Sequence, residues 1–149
     1  IGNALLSFTQ KLTGASALPL DAKRSRQGDE SMIKLLEQLN QLPGVVGSMV
    51  LTDDGIAVES LLAEKMDEEC VAAFSSAVHQ AVKRASTRCG DGTPDELILE
   101  AEQGNLLLVG LGGATLAVMT HAGLEVNTGL LEIRSLARRL RGVLEIRTS

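Results

Sequence analysis

The chain contains no tryptophan and no tyrosine, and Phe8 and Phe74 are its only phenylalanines, an aromatic share of 1%. Single-stranded nucleic acid and sugars are held largely on aromatic platforms, so both are poor candidate ligands. Positive charge is not in excess either: 14 Lys and Arg stand against 19 Asp and Glu, for a net charge of −5. A broad phosphate-neutralising surface needs clustered Lys and Arg, so nucleic acid is not an expected partner. Cysteine is scarce. Cys70 and Cys89 fall on one predicted helix, about 28 Å apart along its axis. A disulfide needs Cα atoms within about 7 Å, so the two cannot bridge within the chain, and a reducing cytoplasm is the expected compartment.

Other signatures are missing as well. His79, His121 and the two cysteines are too scattered for zinc-ligand pairs, and no metal is expected. A phosphate-binding loop needs a glycine-rich turn followed by Lys and Ser or Thr; Gly110-Leu111-Gly112-Gly113 has neither, so no nucleotide or other cofactor is expected. One long run, Asn105–Leu124, lacks Asp, Glu, Lys and Arg and has transmembrane length. Gly110, Gly112, Gly113 and Gly123 interrupt it, and its ends lack basic or aromatic anchors. A Gly-Gly turn between two β-rich runs fits it better, so no transmembrane segment is expected.

What is present is the composition of a globular domain: 149 residues, 44% hydrophobic and 22% charged. That is enough for one compact domain plus a tail. The chain opens on Ile1 rather than Met, so a targeting signal could have preceded it. Its first residues do not read as a signal peptide, because no basic stretch precedes the apolar ones. Residues 1–30 read as a tail. Ile1, Leu5, Phe8 and Leu12 have the spacing of a short amphipathic helix, which would be marginal alone. Residues 14–30 read as linker.

The domain is expected to span 31–143, followed by a short C-terminal tail at 144–149. Ser31 is a plausible N-cap for a helix carrying Met32, Leu35, Leu36, Leu39 and Leu42 on one face, closed by Pro43-Gly44. Val45–Leu51 and Ile56–Leu61 are strands around an Asp54-Gly55 turn. Residues 67–89 form the longest helix. Acidic residues at its start and Lys83, Arg84 and Arg88 toward its end complement the helix dipole. Its expected core stripe is Cys70, Phe74, Ala77, Val78, Ala81, Val82 and Ala85. A stripe of Ala72, Ser76, His79 and Lys83 lies beside it, either a solvated face or a close helix contact. Three strands follow: Leu97–Glu102 with one wetter face, Leu106–Leu111 after a Gln103-Gly104-Asn105 turn, and Thr115–Thr120 after Gly112-Gly113. A last helix begins near Asn127 or Thr128, with Leu130, Ile133, Leu136, Ala137 and Leu140 as its buried stripe. The order is α-β-β-α-β-β-β-α, an α+β layer architecture with one five-stranded antiparallel sheet.

That order resembles the Roadblock family of dynein light-chain 7 type. The carrying residues are Leu42-Pro43-Gly44-Val45-Val46-Gly47-Ser48, Asp53-Asp54-Gly55-Ile56-Ala57, the Ala-rich second helix, Gly112-Gly113-Ala114-Thr115-Leu116-Ala117-Val118, and Asn127-Thr128-Gly129-Leu130. The likeness covers about residues 31–143. It implies a sheet of order 2-1-5-4-3 with the third strand at an edge. It also implies homodimers made by pairing that edge and packing the second helix against its copy. Family members bind or scaffold small Ras-like GTPases or link dynein subunits. Bacterial members of the Mgl type stimulate a GTPase as homodimers without inserting an arginine finger. The resemblance therefore implies a homodimeric module that binds and regulates or scaffolds a small Ras-like GTPase. The alternative is a dimerising adaptor domain of a larger protein or motor-associated complex. No intrinsic active site is expected, though action as a GTPase-activating protein stays open.

The side chains support that expectation. His79 and His121 read as solvated residues. Cys89 ends a helix, where the dipole opposes a reactive thiolate. Glu100 and Glu102 share a strand face but read as solvated charges that deter unwanted edge pairing. The expected dimer contact is Ala72, Ser76, His79 and Lys83 with Ile98 and Glu100 of the edge strand.

Overall fold

A computed structural model describes residues 27–124 and 126–148. The tail and amphipathic readings of residues 1–26 lie outside the described residues. The elements are α1 (Gln27–Asn40), β1 (Val45–Thr52), β2 (Ala57–Leu62), α2 (Glu68–Arg88), β3 (Glu96–Ala101), β4 (Gly104–Gly110), β5 (Ala114–His121) and α3 (Val126–Thr148). The expected order of elements holds throughout.

The five strands form one antiparallel sheet in the order β2-β1-β5-β4-β3, which leaves β2 and β3 at the edges. Tight turns enforce the antiparallel pairs. At the first, Thr52 N donates to Ile56 O at 2.9 Å and Gly55 N to Thr52 O at 3.0 Å. Gly55 has φ +89°, a conformation glycine adopts without steric penalty.

Strand side chains alternate between two faces, so each face builds its own core. On one face α1 and α3 cover Val50, Leu107, Leu116 and Val118 with Met32, Leu36, Leu39, Ile133, Leu136 and Leu140. On the other, Val71 and Ala72 of α2 meet Met49, Leu51, Leu106, Leu108, Ala117 and Met119. β1, β4 and β5 are apolar on both faces because helices cover both. Two polar contacts tie elements together inside the fold. Ser48 Oγ donates to Asn40 Oδ1 at 2.8 Å and Asn40 Nδ2 to Leu61 O at 3.0 Å, tying α1 to the first hairpin.

Several boundaries differ from the sequence reading. α1 begins at Gln27, so Ser31 lies inside the helix rather than capping it. α3 begins at Val126, ahead of Asn127 and Thr128, and continues to Thr148 through residues expected as a C-terminal tail. Gly104 and Asn105 belong to β4 rather than to a turn, and Asn105 is buried with Nδ2 donating to Thr120 Oγ1 at 3.1 Å. Glu102 accordingly follows β3 in the turn and does not share a strand face with Glu100.

Candidate functional site

α2 is capped at both ends by its own sequence. Asp67 Oδ1 accepts from Cys70 N at 3.1 Å, and Glu68 and Glu69 follow in the first turn. At the far end Asp91 N donates to Ser86 O at 2.9 Å and Gly90 N to Thr87 O at 3.0 Å, with Gly90 at φ +83°. Those two bonds define a Schellman ending. The helix is therefore well bounded, but its burial is lopsided. Its buried residues are Cys70, Val71, Ala72, Ser75 and Ser76, all in the N-terminal half. Beyond Ser76 no residue of the helix is fully buried: Val78 and Val82 are half-buried, and Ala77, Ala81 and Ala85 are exposed. The expectation that these three alanines lie in the core is corrected. α2 packs chiefly on β1 and β2. Burial raises the Cys70 thiol above its ordinary range, helped by the carboxylates of Asp67 and Glu69, so it stays protonated at neutral pH.

The six residues expected to form a dimer contact do not form one patch. Ala72 (3% exposed) and Ser76 (9%) pack within the chain. Ser76 Oγ lies 3.5 Å from Asp53 O, and a Cβ on Gly55 would come within 3.0 Å of Ser76 Cβ. Gln80 Nε2 also donates to Asp53 O at 2.9 Å, so the first hairpin is clamped to α2. His79 and Lys83 line an open cleft of about 210 Å³ with Asp53, Asp95, Gly112 and Arg141. Ile98 and Glu100 lie on β3, and their side of the sheet is the opposite one. Ile98 is registered with Leu107, which belongs to the core under α1 and α3, whereas α2 covers the other face.

Two features escaped sequence reading. The first is an ion pair between elements: Arg134 Nε lies 2.6 Å from Glu96 Oε2 and Nη2 lies 2.9 Å from Glu96 Oε1. This fork-to-fork pair holds the Glu96 carboxyl below its ordinary range, mainly through the hydrogen bonds. The second is the exposure of Ile56 (61%) and Leu131 (73%), which join Ile98 (38%), a residue the sequence reading had already placed at a contact. Leu131 did carry a signal, since it sits one position off the buried stripe of α3. Arg141, like Arg134, meets a partner far away in sequence. Its guanidinium lies against the Gly112 turn, where an added Cβ would be 3.2 Å from Nε.

Among the described residues, no group of three His, Cys, Asp or Glu could hold a metal ion, and no helix is long and apolar enough to cross a membrane. The geometry offers surfaces: a half-covered helix, a free strand edge and a polar cleft.

Residues 33–120 match the Roadblock/LC7 domain. The uncharacterized protein MJ0714 of Methanocaldococcus jannaschii is 40% identical over 105 residues, covering 70% of this chain and 87% of that one. Among solved structures, the gliding protein MglB from Thermus thermophilus superposes with TM-score 0.73 at 14% identity, covering 81% of this chain and 93% of that one. A Roadblock/LC7 domain from Streptomyces avermitilis superposes with TM-score 0.67 at 23% identity, covering 75% and 96%.

Proposed function

The chain belongs to the Roadblock/LC7 family, and on that premise we propose that it is a homodimeric binding module that docks and regulates or scaffolds a small Ras-like GTPase. The observation that supports this reading best is the family match across residues 33–120, joined to a sheet whose order leaves β3 as a free edge. An unpaired strand edge is a template for another strand. The likeness to MglB at the level of fold points the same way. The half-covered α2 supplies a second surface that a partner can bury.

Regulation on this reading proceeds without an arginine finger. Arg84 and Arg88 lie on α2, and Arg134, Arg138, Arg139 and Arg141 on α3. None of these is on a hairpin turn, although Arg141 reaches the Gly112 turn from α3. The test uses a nucleotide-loaded Ras-like GTPase recovered with the chain from native extract, then purified. Direct binding that depends on the bound nucleotide is the expected result. No binding in either nucleotide state would overturn the reading. In the hydrolysis assay at saturating chain, each Arg→Ala variant should lose only a few-fold in rate. A variant that binds normally yet loses roughly 10³-fold or more would place an arginine finger there instead.

A further inference from the structure

We infer that the polar cleft at the β4–β5 turn is a binding site for one free phosphate ion, held between Lys83 of α2, Arg141 of α3 and the Gly112-Gly113 turn. The inference rests on neither the GTPase reading nor the dimer reading.

The argument starts from Thr115. It is registered with Leu51 on β1 and with Gly110 on β4. Leu51 belongs to the core beneath α2, and directly opposed residues share a face, so Thr115 is on the α2 side of the sheet. The next residues of β5 on that side, Ala117 and Met119, are apolar and covered. Thr115 is only 3% exposed, lines the cleft, and its hydroxyl has no hydrogen bond among the described residues. Its neighbour Gly110 has no side chain to meet it. A buried hydroxyl is ordinarily partnered, so a partner from outside the chain is called for.

Donors from three elements converge on the same place. His79 and Lys83 are four residues apart on α2, hence on one side of it, and both line the cleft. The Arg141 guanidinium lies at the turn, with Nε 3.2 Å and Nη2 3.3 Å from where a Cβ on Gly112 would stand. Leu111 N donates to Ala114 O at 2.9 Å, but the N–H groups of Gly112 and Gly113 have no partner among the described residues. Nor are Lys83, Arg84 and Arg141 drawn into any ion pair there. Free Lys and Arg donors beside open peptide N–H groups suit an oxyanion. In sequence the turn lacks the Lys and Ser or Thr of a phosphate-binding loop. The fold brings it Lys83 from α2 and Thr115 from β5.

Size and charge identify the ion. The cleft measures about 210 Å³, below the roughly 300 Å³ at which pockets for organic ligands begin. The adjoining hollow along Asp53, His79, Gln80, Lys83 and Arg84 has no apolar side chain to hold an organic group. Lys83, Arg84 and Arg141 outnumber the lining carboxylates, Asp53 and Asp95, in a chain of net charge −5. Those two carboxylates repel a bare anion but accept a hydrogen bond from a protonated one. Free phosphate keeps a hydroxyl near neutral pH and sulfate has none, so the mixed lining selects phosphate.

The test is isothermal titration calorimetry at low ionic strength with inorganic phosphate, sulfate and phenyl phosphate. Circular dichroism and light scattering verify that each variant keeps its fold and assembly. The expected result is one saturable phosphate site per chain, with sulfate and phenyl phosphate binding more weakly. Arg141→Ala and Lys83→Ala should each weaken phosphate at least about tenfold, since each removes a charged donor. Arg139→Ala is the control: Arg139 Nη1 donates to Gln38 Oε1 at 3.3 Å on α1, and its loss should leave the affinity unchanged. No saturable binding at millimolar phosphate overturns the site. So does an affinity that survives R141A, or one that falls as far in R139A as in R141A. Sulfate or phenyl phosphate binding as tightly as phosphate overturns the assignment to the free phosphate ion.

Discussion

At the scale of single residues, glycines separate two physical demands. Gly55 and Gly90 both have positive φ, +89° and +83°. An added Cβ at Gly90 meets nothing within 4 Å, whereas at Gly55 it meets Ser76 Cβ at 3.0 Å and Oγ at 3.1 Å. Gly90→Ala therefore costs backbone strain alone, about 1 kcal/mol or somewhat more. Gly55→Ala adds displacement of the first hairpin from α2. We expect G55A to lower the urea midpoint clearly more than G90A; equal effects would mean that the hairpin–helix contact carries no energy. The Gly55 turn was legible because Asp54-Gly55 is a local signal. Arg141 against Gly112 was not, because nothing in a local window tells which distant helix passes a turn. The Glu96–Arg134 pair was hidden for the same reason.

At the scale of elements, all eight were legible, since each has a period or turn signal of its own. Which face each presents was less so. The helix period of α2 points Ala77, Ala81 and Ala85 inward, because alanine fits that period whether it is buried or exposed. Full burial along the helix stops at Ser76, and no sequence period records where it stops. The small stripe at Ala72 and Ser76 belongs to the interior for the same reason. Asp67 offers a test of what holds this half-supported helix. Its carboxylate both accepts from Cys70 N and places charge at the helix N-terminus. Asp67→Ala removes both and should cost about 1 kcal/mol. Asp67→Asn keeps an acceptor and should retain most of that stability, losing a few tenths of a kcal/mol for the dipole. The measurement is the urea midpoint at unchanged slope; an Asn variant as unstable as the Ala variant would mean that charge, not the cap bond, dominates.

At the scale of the whole molecule, the single chain is finished on one side and unfinished on two others. α1 and α3 close one face with a continuous apolar core, and polar links such as Ser48–Asn40 fix their position. The other face carries a helix with its second half open, and β3 leaves one edge unpaired with Ile98 and Leu131 beside it. Assembly on these surfaces binds the native state and not the unfolded one, so it must raise the melting temperature with concentration. For a dimer that unfolds to two chains, each tenfold rise in concentration favours the assembled state by about 1.4 kcal/mol. Thermal scans over roughly two decades, starting near micromolar, should show Tm rising by a few degrees per decade. A wild-type Tm independent of concentration throughout that range would show that these open surfaces are not closed by a second copy.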